Sequence, residues 1–247
     1  MTQHATRDAL DGARDATALA RPGRAPLELT ANLDVDRYRW AEACLRELRP
    51  TVPRPVVSDV GCGDATMRPH AERLGWRWQG FDLAPRDGAV RRWDVDQPAP
   101  PHAERAGLAL MLEVLEHLGN PWRAMAHVAD HLLPGGCLVL TTPNPRWSRS
   151  RMAALASGVP TCFTQRDLDV NGHVFAVWPH VLERLLLDVG LGLERYVTLE
   201  GRAPLPRGPL DHRYPVRFGL WLALRAIERR DPTACGMAYG VIARKPG

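Results

Sequence analysis

Short apolar runs alternate with amphipathic helical patterns through the central part of the chain. Five runs, at 56–60, 76–81, 89–93, 108–112 and 137–142, have the length and apolar content of buried strands. Helical spacing of apolar residues precedes the first run and separates several of the others. Because strands that alternate with helices form a parallel sheet covered on both faces, the pattern predicts an α/β domain.

The ends of the chain differ from this regular centre. Residues 1–30 are small and charged and have no apolar period, which predicts a mobile leader before a single domain at 31–247. After the fifth run the pattern loosens, and two irregular segments are expected inside the domain. They are a lid at 146–172 and a helical insertion at 201–235.

The expected insertion contains an apolar helical pattern over 216–227, between two late strands at 193–200 and 237–244. This helix contains Arg225 and is far shorter than the ~20 apolar residues that a membrane span needs. We therefore expect it to contribute to the core or to a homodimer contact. No apolar run of the sequence reaches the length of a transmembrane helix, so none is expected.

Composition and charge narrow the range of partners. Hydrophobic residues make up 45% of the 247 and charged residues 24%, which is typical of a globular domain. The formal charge is +4, but Lys245 is the single lysine and the arginines form no dense basic run. A small-molecule substrate is therefore favoured over nucleic acid. Five cysteines without a CxxC pair, and no apolar signal segment, predict a cytoplasmic protein.

A glycine turn closes the first predicted strand and is the first candidate binding feature. Asp59, Gly61, Cys62 and Gly63 lie in this turn. Glycines at the carboxyl end of a parallel strand let the main chain approach a ligand closely. Thr66 stands where a dinucleotide-binding motif has its third glycine, which argues against a pyrophosphate ligand.

Carboxylates close the next two predicted strands. Asp82 follows the glycine turn by about 20 positions, where an acidic residue accepts hydrogen bonds from ribose hydroxyls. Asp94 with Val95 is expected beside an adenine ring. The alternative for each acid is a structural carboxylate in a loop. Leu83 and Leu112, at the ends of the second and fourth strands, complete the predicted cofactor-binding residues.

The motifs together resemble those of class I S-adenosylmethionine (SAM)-dependent methyltransferases. They are VSDVGCG at 57–63, GFD at 80–82, EVLEHL at 113–118, LPGG at 133–136, TTPN at 141–144 and GHVF at 172–175. The resemblance runs from about Tyr38 to Lys245. Within this family, the motifs are similar to those of the branch that contains ubiquinone-pathway O-methyltransferases and many antibiotic- and sugar-modifying methyltransferases. The sequence departs from that pattern at Asp64-Ala65, where Thr-Gly is usual.

The resemblance implies a fold and a methyl donor. The expected fold is a Rossmann-like three-layer sandwich, with a mostly parallel seven-stranded sheet whose last strand is antiparallel. The expected cofactor is SAM. It would be bound by the glycine turn and by the carboxylates that close the second and third strands.

Four residues are candidates for the chemistry. Glu113, Glu116 and His117 are spaced by three and four positions after the fourth strand, and the resemblance places His173 on a loop over the same pocket. As a metal site the four suit Mg²⁺, Mn²⁺ or Zn²⁺, and they resemble the set in methyltransferases of small-RNA 3′ ends. Without a metal, His117 or His173 is the candidate general base, beside Glu113. A purely structural role is the remaining alternative.

Three functions stay open from the sequence. The leading one is methyl transfer from SAM to an oxygen, less so a nitrogen or carbon, of a small molecule in secondary metabolism or cofactor biosynthesis. The first alternative is a metal-dependent RNA 2′-O-methyltransferase, which the acid and histidine set and the pI of about 9.0 favour. The second is a SAM-binding or partner-docking protein without catalysis, for which Ala65 and the apolar insertion would be suited.

Overall fold

A sheet of eight strands lies at the centre of the structure, a computed structural model that describes residues 27–206 and 213–247. The strands are β1 (Ala31–Asn32), β2 (Val56–Val60), β3 (Arg77–Asp82), β4 (Val90–Arg92), β5 (Ala106–Leu112), β6 (Leu132–Pro143), β7 (Gly192–Leu199) and β8 (Ala238–Arg244). Their order is β1-β7-β8-β6-β5-β2-β3-β4. Among them β8 alone runs antiparallel to its neighbours, β6 and β7, which confirms the predicted mostly parallel sheet with an antiparallel last strand.

Helices cover both faces of this sheet. Those of the described residues are α1 (Arg37–Leu48), α2 (Arg68–Arg73), α3 (Pro121–His131), α4 (Ser148–Ser157), α5 (Gln165–Asn171), α6 (Pro179–Asp188) and α7 (Tyr214–Arg230). Asp36 caps α1, because its side chain accepts hydrogen bonds from two main-chain N–H groups of the first turn. None of the described helices has the length and hydropathy required to cross a bilayer.

Two apolar clusters, one on each face of the sheet, produce the three-layer sandwich. On one face Trp40 of α1 packs against the strand residue Val57. On the other face Met125 of α3 and Leu185 of α6 pack against Leu138 of β6. All five side chains are at most 3% exposed. Both faces of the central strands are buried, which explains why the sequences of these strands are continuous apolar runs.

One edge of the sheet extends beyond the prediction. The two-residue strand β1 pairs in parallel with β7, and the N–H of Thr30 donates to the carbonyl of Tyr196 at 2.7 Å. The sheet therefore has eight strands instead of seven. Leu27 and Leu29, which the sequence placed in the leader, pack on the core. The rest of the predicted leader, 1–26, lies outside the described residues.

The predicted lid and insertion contact each other. Asp231, after α7, forms ion pairs with Arg146 and Arg151, and its oxygen lies 3.2 Å from the Arg146 guanidinium. The buried carboxylate of Glu228 accepts hydrogen bonds from the Ser148 hydroxyl at 3.0 Å and the Ala203 N–H at 3.1 Å. These contacts fix α4 against α7. The homodimer contact expected of the insertion stays a prediction.

Candidate active site

A cavity of about 460 Å³ opens at the carboxyl ends of the parallel strands, where open α/β sheets bind ligands. We call it the first cavity. Predicted cofactor residues on its wall are Gly61, Asp82, Leu83, Asp94 and Val95. The structure thus brings together residues from the ends of three successive strands that the sequence could only place one by one.

The other predicted cofactor residues, Asp59, Cys62, Gly63 and Leu112, do not line this cavity. Asp59 is buried and accepts a hydrogen bond from Trp78 Nε1 at 3.2 Å. Burial raises the pKa of Asp59 to about 6. The N–H of Cys62 donates to the Phe81 carbonyl at 3.0 Å, and Leu112 packs on the core beside α1.

Packing gives a reason for glycine in this turn, in addition to the expected close approach of a ligand. Gly61 has a φ of +70°, and a Cβ built there would lie 2.6 Å from Val114 Cγ2. Val114 itself lines the first cavity. A side chain at position 61 would therefore push Val114 out of place. Gly63 also has a positive φ, +51°, but a Cβ there would meet nothing within 4 Å.

Ala65 replaces the glycine that is usual in the resembled pattern, and the structure shows the effect. Its φ is +56°, in the left-handed region that favours glycine. It is 8% exposed and lies outside the lining of the first cavity. The substitution therefore strains the turn without narrowing the cavity, which removes one reason to regard the site as inactive.

Asp82 has the structural role that the sequence offered as the alternative, and it also lines the first cavity. One carboxylate oxygen accepts the Gly63 N–H at 3.0 Å and the other accepts the Ala84 N–H at 2.9 Å. An ionised carboxylate has about four acceptor positions, so these bonds leave room for two ribose hydroxyls. Asp94 likewise accepts the N–H of Asp96 at 3.1 Å and still lines the cavity.

Asp96 is a wall residue that the sequence analysis passed over. It lines the first cavity, and its Oδ1 is buried without a hydrogen-bond partner among the described residues. A buried carboxylate oxygen requires a donor from a ligand or from solvent. The amino group of an adenine ring offers one. The sequence signal that could have identified Asp96 is its position, two residues after the predicted strand-closing carboxylate Asp94.

A second cavity, of about 510 Å³, adjoins the first. Glu113 and His117 line both cavities, and Arg37, Asn171 and His173 line the second one only. The predicted lid supplies several of its walls. Glu113 and His117, which line both cavities, are among the residues that the sequence predicted as catalytic. The two cavities therefore meet at the predicted site of the reaction.

Glu113 and Glu116 lie at this junction in different environments. Glu113 has a φ of +56°, a strained conformation for a residue other than glycine. Burial raises the pKa of Glu113, and the charge of Arg37 opposes this. Glu116 is fully buried and accepts a hydrogen bond from the Thr142 hydroxyl at 2.9 Å. Burial, followed by the charge of Glu113, raises the pKa of Glu116 to about 8.

His117 and His173 are both held through Nδ1. His117 Nδ1 lies 3.3 Å from the carbonyl of Gly172, and His173 Nδ1 lies 2.6 Å from the carbonyl of Cys162. Because a carbonyl only accepts, each Nδ1 is the donor, and in the neutral form of either ring Nε2 keeps its lone pair. Burial and the neighbouring His173 lower the pKa of His117. Neutral His117 is therefore suited to take a proton or to ligate a cation.

The predicted four-residue metal set is brought together only in part. Glu116, His117 and His173 each offer one donor atom, and these atoms lie within 4.8 Å of one another. Glu113 is not in this group. Tetrahedral Zn²⁺ with bonds of ~2.0–2.1 Å needs donors roughly 3.3 Å apart, which sets the separation these three atoms would require to hold it. Glu116 Oε1, buried without a partner among the described residues, fits such a role.

The fold is that of class I SAM-dependent methyltransferases. Residues 34–195 match the family model described as "Methyltransferase domain", and the chain belongs to this family. A solved SAM-dependent methyltransferase from Archaeoglobus fulgidus has the same fold. It is 17% identical, with a TM-score of 0.55, over 84% of this chain and 94% of that one.

Curated relatives share part of the sequence. A ubiquinone biosynthesis O-methyltransferase of Psychrobacter arcticus is 26% identical over 68% of this chain and 66% of its own length. A protein with the same name from Xanthomonas axonopodis pv. citri is 30% identical over 56% of this chain and 63% of its own length. The first three curated relatives are matched over 40% to 66% of their length.

Proposed function

We propose that the protein transfers a methyl group from SAM to a hydroxyl oxygen of a small molecule. The observation that carries this is the wall that Glu113 and His117 share between the two cavities. Methyl transfer is a direct displacement, so donor and acceptor must meet in line at one boundary. The preference for oxygen is supported by the curated relatives, which are named as O-methyltransferases.

The first cavity is assigned to the donor. Asp82 would accept the ribose hydroxyls, and Asp94 with Asp96 would accept the adenine amino group. The apolar neighbours Leu83 and Val95 would flank the ring. When bound, SAM supplies an electrophilic methyl group, and the electron pair of the broken C–S bond stays on sulfur as a neutral thioether.

The second cavity is assigned to the acceptor. Its hydroxyl would lie at the shared wall, within reach of Nε2 of His117 or His173, which accepts the proton as the oxygen bonds to the methyl carbon. The Nδ1 contacts with Gly172 and Cys162 hold both rings in the tautomer this needs. The positive charge that the sulfonium loses thus appears on the imidazole ring that has accepted the proton.

Transfer of a labelled methyl group from SAM to hydroxylated aromatic and aliphatic acceptors tests this function. We expect one equivalent of S-adenosylhomocysteine (SAH) per methylated product, with the label on oxygen. SAH binding without transfer to any acceptor would contradict the proposal and favour the alternative of a SAM-binding protein. The double variant His117→Gln/His173→Gln serves as the inactive control, because it keeps the cofactor wall formed by Asp82 and Asp94.

A metal-assisted form of the same reaction is the second candidate. It is supported by the three donor atoms of Glu116, His117 and His173 and by the unpartnered Glu116 Oε1. A divalent cation held there would lower the pKa of an acceptor hydroxyl. We expect chelation to reduce turnover and leave SAH binding intact, and Glu116→Gln to weaken Mn²⁺ or Zn²⁺ binding measured by calorimetry. Full turnover after chelation would rule this form out.

An RNA acceptor is distinguished by its dependence on salt. Contacts to phosphates release counterions, so affinity falls steeply as ionic strength rises. For a neutral small-molecule acceptor we expect turnover to change little between low and physiological salt. A steep loss of turnover with an RNA oligonucleotide as the acceptor would favour the RNA alternative.

A further inference from the structure

Arg37, which the sequence analysis did not single out, lies on the wall of the second cavity. It is the first residue of α1, directly after the chain that the additional strand β1 brings to this edge of the sheet. The main chain between β1 and α1 is fixed: the Glu200 N–H donates to the Val35 carbonyl at 3.0 Å and the Gly201 N–H donates to the Leu33 carbonyl at 3.1 Å. The start of α1 is therefore held firmly beside the cavity.

The guanidinium of Arg37 has hydrogen-bonding capacity left for a ligand. In the described part of the chain, the one carboxylate oxygen within 4.0 Å of it is Glu200 Oε1, at 3.9 Å. That distance is too long for a hydrogen bond. The Arg37 side chain is 30% exposed, and its guanidinium lies 5.1 Å from the ring centroid of Tyr38. Glu113 also interacts with this guanidinium through its charge, and Tyr38 through a side-chain hydrogen bond. An arginine presents five N–H donors in a planar fork, so donors remain for a ligand.

The rest of the second cavity defines the shape of a ligand. Besides Arg37, the charged and imidazole side chains that line it in the described residues are Glu113, His117 and His173, where the reaction is placed. Apolar side chains, among them Val170 and Met237, line it between these groups. The volume of about 510 Å³ is within the range of small-molecule sites, roughly 300–1,000 Å³.

We propose that Arg37 binds a carboxylate of the methyl acceptor, so that the acceptor class is a hydroxy acid with an apolar body. This inference rests on the proposed function, since it takes the second cavity as the acceptor site. A carboxylate matches the arginine fork through two parallel hydrogen bonds. The acceptor is then held by its acid at Arg37 and by its hydroxyl at the histidines.

A matched pair of acceptors tests the proposal. 3,4-Dihydroxybenzoate and catechol have the same ring and hydroxyls and differ only in the carboxylate. Binding of each to the SAH-loaded protein is measured by calorimetry, and methyl transfer is measured in parallel. We expect the benzoate to bind about 10- to 100-fold more tightly, as hydrogen bonds to a charged group provide.

Variants at position 37 show whether this preference comes from the arginine. Arg37→Gln should remove the preference by weakening the benzoate and leaving catechol unchanged, with the loss in KM and not in kcat. Arg37→Lys should recover part of it, because the charge returns without the fork. Arg39→Gln, on the exposed side of the same helix turn, is the control and should change neither ligand.

The possible outcomes separate this inference from the proposed function. Equal binding of benzoate and catechol, binding of neither, or an equal loss of both in Arg37→Gln would overturn the role of Arg37. A carboxylate preference that depends on Arg37, without methyl transfer to either compound, would support the anion site and contradict the proposed methyl transfer. Methyl transfer to both compounds without a preference for the carboxylate would support the proposed function and contradict the role of Arg37.

Discussion

The imidazole rings of His117 and His173 meet edge to face, with their centroids 4.9 Å apart and their planes at 67°. The two residues come from segments that are far apart in the sequence, the turn after β5 and the end of the lid. Carbonyl groups of the lid hold both of them, that of Gly172 for His117 and that of Cys162 for His173. The two rings therefore form a single unit.

Substitution of either histidine is expected to impair catalysis more than cofactor binding. His117→Gln should lower kcat by about 10²- to 10⁴-fold, the usual contribution of a positioned general base. The double variant with His173→Gln should lose less than the product of the two single effects, because the rings act together. Rates are measured with labelled SAM and affinity with SAH. An unchanged kcat in both single variants would contradict this, and the exposed His180→Gln is the control.

The ribose-binding role of Asp82 is tested by removing its carboxylate. Asp82→Ala should weaken SAH binding by about 1–3 kcal/mol, because both the ribose acceptors and the bond to the Gly63 N–H are lost. Asp64→Ala is the control, since Asp64 is exposed in the same turn and does not line the first cavity. Calorimetric titration with SAH measures both. Equal affinity of Asp82→Ala and the wild type for SAH would contradict the assignment of the first cavity to the cofactor.

The contact between Gly61 and Val114 predicts a pair of compensating substitutions. Gly61→Ala should destabilise the fold by about 1–3 kcal/mol through its positive φ, and by more through the clash with Val114. Adding Val114→Ala should relieve the clash and leave only the strain of the main chain. Chemical denaturation measures the coupling, which is about 0.5–3 kcal/mol for residues in contact. Gly88→Ala is the control, since a Cβ there meets nothing. Strictly additive effects would contradict the prediction.

Burial of Asp59 predicts a loss of stability as pH rises. Its pKa is about 6 in the folded protein and 3.8 as the reference value, so between about pH 4 and 6 the unfolded chain releases a proton that the folded chain keeps. The free energy of unfolding should therefore fall by about 3 kcal/mol across this window, from a shift of roughly two units. Asp59→Asn should lack this fall and be more stable than the wild type at pH 7.

Denaturation of Asp59→Asn and wild type from pH 4 to 7 measures this difference. The asparagine oxygen can still accept the hydrogen bond from Trp78 Nε1, so the comparison isolates the charge. The exposed Asp169→Asn controls for loss of a negative charge at the surface. A difference between Asp59→Asn and wild type that stays constant over this range would show that Asp59 is not the source.

Most of the fold was predictable because its signals are local. The helical spacing of apolar residues before the first predicted strand corresponds to α1, which ends at Leu48, two residues before Pro50. The two residues of β1 could not be recognised in this way. A strand that short has no period of its own, and its pairing with β7 depends on a segment more than 150 positions away. The strand count of seven was therefore one too low.

The candidate site was predictable where it follows strand ends, and less so elsewhere. Asp82 and Asp94 follow a positional rule, and both line the first cavity. Arg37 has no local signal, because its place beside Glu113 depends on β1 and on the chain after β7. Glu113 lies outside the group formed by the other three metal candidates, and its main chain is left-handed; residue spacing reveals neither fact.

The wall shared by Glu113 and His117 also limits how related proteins can diversify. A change in either residue alters both chambers at once, so a new acceptor cannot be gained there without disturbing the methyl donor. Val170, Asn171 and Met237 border the second cavity only. Substitutions at these outlying positions can therefore change the acceptor that the second cavity accepts without altering the boundary with the first cavity.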